Sequence, residues 1–247
     1  MTSPSPATTL SGPHRPALSA APALAELLRS CAWGRLLGDA EFARVRTTAL
    51  ERSFGAGEAV ARAGDEATHW VGVRSGLLKM SVTSADGRLS TLTGAAAGAW
   101  YGEGSLFEGQ NWGYDVEALR PSRVVLIPRE TFRWLRDTSL PFNHYLQSLL
   151  SARLGLFIGM LADDRLLGAD ARVARCLSRL HDQTRSGSGD PVIRLHQGEI
   201  ALLAGVSRQR ANAALHRLQQ ESLISVRPGR VTIRQAEGLR QFTGPRG

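Results

Sequence analysis

The chain has 247 residues, is 43% hydrophobic and carries a formal charge of +8, enough to bury two modest cores. No unbroken apolar run approaches the roughly 20 residues of a bilayer span, and the opening MTSPSPATTLSGPHRPALSAAPA has neither a charged n-region nor an apolar core, so a cytoplasmic protein without a membrane partner is expected. Cys31 and Cys176 lie far apart without CxxC spacing, which argues against a disulfide framework, a thiolate metal site or an iron–sulfur cluster.

Residues 1–22, rich in Pro, Ser, Ala and Thr with no apolar period, read as a disordered tail. The stretches ALAELLRSCAWGRLL and DAEFARVRTTAL carry apolar residues at spacing three to four and predict short helices. From Phe54 the texture changes: glycines interrupt short runs such as HWVGV, LLKMSVTS and RVVLIP, and Asp86-Gly87 between two of them is a hairpin signal. Many short strands with regular turns predict a small antiparallel barrel or roll.

After Pro128 the pattern turns helical with RETFRWLRDT, and a long helix follows Pro141, where Phe142, Leu146, Leu149, Leu150, Leu154, Phe157, Ile158 and Leu161 recur at spacing three and four. That apolar surface is wider than one seam. One side can pack on the roll and another on the same helix of a second subunit, which predicts a homodimer; a buried helix in a monomer is the alternative. Gly168-Ala169-Asp170 marks a hinge, and ARVARCLSRLHDQ a further helix before the polar loop TRSGSGDP.

The charge sits in the last third. From Asp170 onward there are 13 arginines against 6 acids, whereas residues 1–169 hold 17 basic and 16 acidic side chains. A localised positive field of this kind suits a polyanion such as DNA. A solvated, arginine-rich surface is the plainer alternative, since Lys79 is the sole lysine and coding bias also favours arginine.

Within that segment, Glu199–Leu203 forms a short helix, Ala204-Gly205-Val206 a tight turn, and Ser207 an N-cap for a second helix running to about Gln220. Gly205 supplies the positive φ of the turn, and together these spell a helix-turn-helix. In the second helix Ala211, Ala214, Leu215 and Leu218 fall on one side. The other side presents Gln209, Asn212, Ala213 and His216, with Arg208 in the first turn and Arg210 and Arg217 on the flanks. Arginine can bridge the two acceptors of guanine, and Gln or Asn can pair with adenine, so these residues suit base edges, with Arg210 and Arg217 better placed for phosphates. Gln197, at the start of the first helix, joins the candidate contacts. Leu223–Val226 and Val231–Ile233, joined by Arg227-Pro-Gly-Arg230, form a two-stranded wing whose two arginines could meet the DNA backbone. A helical hairpin used only for packing would leave this polar face without purpose.

A glycine-rich roll, a long helix, then EIALLAGVSRQRANAALHRLQQESLI and a wing resemble the Crp/Fnr superfamily of bacterial transcription regulators over about residues 23–240. Gly57-Glu58, Gly64-Asp65, Ser75-Gly76 and the turn from Gly102-Glu103 to Leu106-Phe107 carry the rest of the likeness. The resemblance implies an α+β protein: an antiparallel, jelly-roll-like sensor domain of the cyclic-nucleotide-binding kind (23–140), a dimerisation helix and hinge (141–168) and a winged helix-turn-helix domain (169–247). Its partners would be double-stranded DNA, a second copy, RNA polymerase and a small-molecule effector. Recognition positions of the family correspond to Arg208, Gln209, Asn212 and Ala213, the last departing from the arginine of several members. His196 stands where a Ser or Thr commonly caps the first helix, and is read as a weaker cap or a phosphate contact.

In cyclic-AMP-binding members, the turn that WYGEGSLFEGQNWGYDVEA resembles holds the nucleotide. A glutamate after glycine bonds the ribose, and an Arg-Ser or Arg-Thr pair grips the phosphate. Gly102 and Glu103 match the first part, but with one deletion allowed the pair falls on Trp112 and Gly113. A phosphate taken out of water needs a cation and several donors, and an indole offers one neutral N–H. Arg120-Pro-Ser122 follows the next strand instead of preceding it. Positions that present hydroxyls to the adenine fall on Phe157 and Ile158. An apolar pocket is therefore expected, and cyclic AMP is not expected to bind in the usual manner. Either the pocket takes an apolar ligand, or Trp112 and Phe157 fill it and leave a dimer that is always competent.

No catalytic residue, cofactor or metal site is predicted. P-loop, GxSxG and HExxH patterns are absent from the sequence, and a haem would rest on a lone His69, His144 or Met80.

Overall fold

The computed structural model describes residues 21–108, 111–185 and 192–244. The expected tail lies outside these apart from its last two residues, which open helix α1 (Ala21–Ser30), and residues 186–191 of the polar loop lie outside as well. A 3-10 turn (Gly34–Leu36) leads to α2 (Asp39–Thr48), and Leu28, Trp33 and Val45 of this segment are buried in the roll's core.

Two four-stranded antiparallel sheets make the roll. One runs β1 (Leu50–Phe54), β8 (Ser122–Pro128), β3 (His69–Ser75) and β6 (Trp100–Tyr101); the other runs β2 (Ala59–Ala61), β7 (Asp115–Ala118), β4 (Leu77–Thr83) and β5 (Leu89–Ala96). Large rings fill the space at its centre: Trp70 lies 4.4 Å from Trp100 and 5.7 Å from Phe142, and Trp33 meets Trp100 edge-on at 5.0 Å. Such tilted and edge-to-face pairs suit the ring quadrupole and bury much apolar area per residue. The β4–β5 hairpin turns at Asp86-Gly87, as its sequence predicts. Further along, Met80 pairs with Thr93 but Ser81 with Thr91, so Leu92 is the extra residue of a β-bulge.

The segment after Gly102, read from sequence as a glycine-punctuated turn, contains a short helix, α3 (Glu103–Glu108). Helix α4 (Arg129–Thr138) then leads into α5 (Leu140–Leu166), a 27-residue helix whose N-cap Ser139 Oγ accepts from the Phe142 N–H and which holds Pro141 in its first turn. Phe142 and Leu146 are buried against the roll. Beyond them Leu150, Leu154, Phe157, Ile158, Leu161 and Leu166 stand exposed in a stripe.

By length and composition α5 could cross a bilayer, which corrects the reading made from unbroken apolar runs: its polar residues hide the apolar average. The fold nevertheless engages both parts of it. Arg153 ion-pairs with Glu103 of the roll, and Asp163 with Arg179 of α6 (Ala169–Arg185), at 2.6 and 2.7 Å.

The break expected near Gly168 falls between α5 and α6. The C-terminal part continues through β9 (Val192–Ile193), α7 (Gln197–Ala204), α8 (Arg208–Gln220), β10 (Ile224–Arg227), β11 (Arg230–Ile233) and α9 (Ala236–Gln241). Its core gathers Leu177, Ile200, Ala211, Leu215 and Leu239, and also takes in Leu77 and Ala96 of the roll. Strand β9 pairs with β11 at Ile193–Val231 and gives the wing a third strand that the sequence reading lacked.

Candidate nucleic-acid interface and ligand cavity

The turn between α7 and α8 is built as the residues demand. Gly205 ends α7 at φ 63°, ψ 37°, the left-handed region where a side chain is costly. Ser207 then caps α8 by accepting from the Arg210 N–H. His196 precedes α7 with no side-chain cap bond of its own; instead Glu199 reaches back and accepts from its backbone N–H at 2.5 Å. Its imidazole lies beside Gly229 in the wing turn.

Ala211, Ala214, Leu215 and Leu218 of α8 are buried, so the opposite side faces solvent. Ser207, Arg208, Gln209, Arg210, Asn212, Ala213 and His216 are all exposed there. Gln197, Asn212 and His216 rim a shallow polar depression between the two helices and the wing, next to Gln219, whose side-chain oxygen accepts from the Val226 N–H at 2.8 Å. Arg227 and Arg230 sit opposite each other across the wing turn, both exposed. Arg217 is different. It is half-buried in an ion pair with Asp170 of α6, so the fold already engages the guanidinium that the sequence reading gave to phosphate.

In the roll, a cavity of about 350 Å³ opens between β5, α3 and the middle of α5. Of the expected pocket residues, Glu103 and Phe157 line it, whereas Gly102, Trp112, Gly113 and Ile158 lie outside its lining. Trp112 is buried for another reason. Its indole lies on Gly102, where a β-carbon would come within 2.6 Å of the ring, and stacks edge-on to Tyr114 at 5.6 Å. It is a packing residue of the roll, not a plug in the cavity.

The sequence reading missed the cavity's cation. Arg153 reaches in from α5 and pairs with Glu103 Oε1 at 2.6 Å, while its second amino group donates to the Trp100 carbonyl at 2.6 Å. The pocket, expected to be apolar apart from Glu103, has apolar walls around one ion pair. Glu103 is only 1% exposed, and its Oε2 is a buried acceptor without a hydrogen-bond partner. Tyr114, also on the lining, has its phenol pushed up to about 12, first by burial and then by the nearby Glu103 carboxylate, so it stays a neutral donor. Arg120 lies elsewhere: it donates to the Arg194 carbonyl and ties the roll to the C-terminal part.

One strand separates the cavity from that C-terminal part. Thr93 and Gly94 of β5 line the cavity, and Gly94 also rests against Leu203 of α7, whose methyl carbon would lie 3.0 Å from an added β-carbon.

Comparison with known proteins adds to this geometry. Residues 51–139 match the cyclic nucleotide-binding domain and residues 171–242 the Crp-like helix-turn-helix domain. The cyclic AMP receptor protein of Thermus thermophilus is 30% identical over 173 residues, covering 69% of this chain and 77% of that protein. Among solved structures, the c-di-GMP responsive global regulator CLP of Xanthomonas campestris is 25% identical with a TM-score of 0.60, over 79% of this chain and 99% of that one. FixK2 of Bradyrhizobium japonicum shares the fold, with a TM-score of 0.67 at 18% identity over 81% of this chain and 99% of that one.

Proposed function

This chain belongs to the Crp/Fnr superfamily of bacterial transcription regulators, and on that premise we propose that it acts as a homodimer reading a two-fold symmetric stretch of double-stranded DNA through α8 and its wing. The observation that carries the proposal is the outer side of α8. Arg208, Gln209, Asn212, Ala213 and His216 stand exposed on a helix whose inner side is fully committed to the core. Arg208 and Gln209 have the donor and acceptor pattern that reads base edges, and Arg210, Arg227 and Arg230 can neutralise phosphates. Gln197 and Asn212 extend the contact across the depression beside the wing.

The stripe on α5 supports the dimer. Leu154, Ile158 and Leu161 are each more than half exposed and recur at the spacing of a coiled-coil seam, so a second copy of the helix covers them. A bilayer is a poorer account, because the same helix carries Arg153, Asp163 and Asp164 in ion pairs with the rest of the fold. The protein then works in the cytoplasm beside RNA polymerase as a regulator, not an enzyme.

Cyclic AMP is not the effector in the family's usual mode. Trp112 stands in the place of the phosphate grip and serves packing, Arg120 is engaged outside the cavity, and Arg153 is already paired with Glu103. Binding-site selection from random duplexes tests the DNA reading. The enriched sites should have two-fold symmetry with half-site centres about 34–36 Å apart. Enrichment of asymmetric sites, or none, would overturn it.

A further inference from the structure

We propose that Arg172 is a positioning residue that sets the spacing between the two DNA half-sites, by tying the turn between α7 and α8 to the dimer helix α5. The inference rests on the regulator reading above and concerns its geometry, not its effector.

The break between α5 and α6 needs such a tie. Leu167 and Gly168 join the two helices, and each residue of a connection keeps two soft dihedrals, so the backbone alone leaves α6 free to swing. Three ion pairs cross the break. Asp163 takes Arg179 at 2.7 Å and Arg175 at 3.8 Å, and Asp164 takes Arg172. Arg172 also reaches further: Nη1 pairs with Asp164, while Nη2 donates to the Gly205 carbonyl at 3.2 Å.

Gly205 is the left-handed residue that closes α7 and opens the turn into α8. A cation suits the carbonyls at that helix end, which lack intrahelical partners. A planar guanidinium can serve a carboxylate on α5 and a carbonyl in the turn at once, whereas an ammonium acts as a point charge. Asp170 of α6 holds Arg217 of α8, and Leu177 shares a core with Ala211 and Leu215, so α8 follows α6. The reading helix thereby takes its direction from α5.

In a two-fold dimer joined along α5, the angle between α5 and α8 fixes how far apart the two reading helices stand. DNA registers that distance sharply, since one inserted base pair moves a half-site by roughly 3.4 Å and turns it by about 35°.

The test titrates the full-length protein with symmetric duplexes of the selected spacing, with duplexes one base pair longer or shorter, and with a single half-site. Wild type should lose at least about tenfold in affinity for each altered spacing, as one half-site drops out of register. Arg172→Met keeps the apolar stem and removes both contacts. It should shrink that loss to about threefold or less and leave half-site affinity within about twofold of wild type. A merely structural defect would lower half-site and full-site affinity together. Asp164→Asn cuts only the tie to α5, on a side chain that is 67% exposed, and should relax the spacing in the same direction; it decides the matter should Arg172→Met fail to fold. Wild-type spacing preference in the folded variants, or a parallel fall in half-site affinity, overturns the proposal, as does a wild type that binds every spacing equally. Failure of the wild type to prefer the half-site sequence over scrambled DNA instead counts against the regulator reading, so the two failures are distinguishable.

Discussion

Replacing Arg208 and Gln209 together with Ala should lower affinity for the symmetric site by about a thousandfold or more. Each good base pair contact is worth roughly 1 to 3 kcal/mol, and every substitution acts twice on a two-fold site. Both side chains are exposed at the start of α8, so the melting temperature should hardly move. Arg227→Ala in the wing should behave differently, weakening all duplexes alike and flattening the salt dependence. Arg217→Ala confounds binding with stability, because it breaks the pair with Asp170. Gel-shift titrations at two salt concentrations check these outcomes. Unchanged affinity in the Arg208/Gln209 double variant would remove α8 as the reading element.

Ile158→Glu combined with Leu161→Glu should turn the dimer into monomers. Both side chains are already exposed, at 60% and 53%, so a carboxylate costs the folded subunit little. In the dimer each would give up the burial of a large aliphatic group, about 1.5 to 3 kcal/mol, and would place like charges across the seam. Neither residue lines the cavity, so ligand binding is not altered directly. Sedimentation should report the mass of a single subunit, and affinity for the full symmetric site should fall by at least about a hundredfold, towards that of a half-site. A variant that stays dimeric would assign the stripe to another partner.

The parts of the fold governed by neighbouring residues were legible in the sequence. Gly205, Ser207 and the apolar spacing of Ala211, Ala214, Leu215 and Leu218 announce two helices and their turn, because caps and periodicity act within a few positions. Asp86-Gly87 announces its hairpin for the same reason. What depended on distant contacts did not read through. Strand β9 has two residues and exists only because Ile193 and Val192 find β11. Trp112 looked like a pocket residue, yet Gly102 leaves room for its ring in the roll. Arg217 looked free until Asp170, 47 positions earlier, took it.

Arg153 is the instructive miss, since a signal was present. It lies four residues before Phe157 on one helix, and residues so spaced share a face. A reading that put Phe157 in the cavity should have put Arg153 there too, next to the glutamate it pairs with. That one contact places an ion pair among the cavity's apolar walls.

The most direct test of the account is a fluorescence-anisotropy titration of the ligand-free protein with the selected symmetric duplex and with its scrambled counterpart, at fixed salt, with and without cyclic AMP. The account predicts a preference for the symmetric duplex that cyclic AMP leaves unchanged. Equal affinity for both duplexes that becomes selective only on adding cyclic AMP would contradict it, and would return the cavity to the nucleotide.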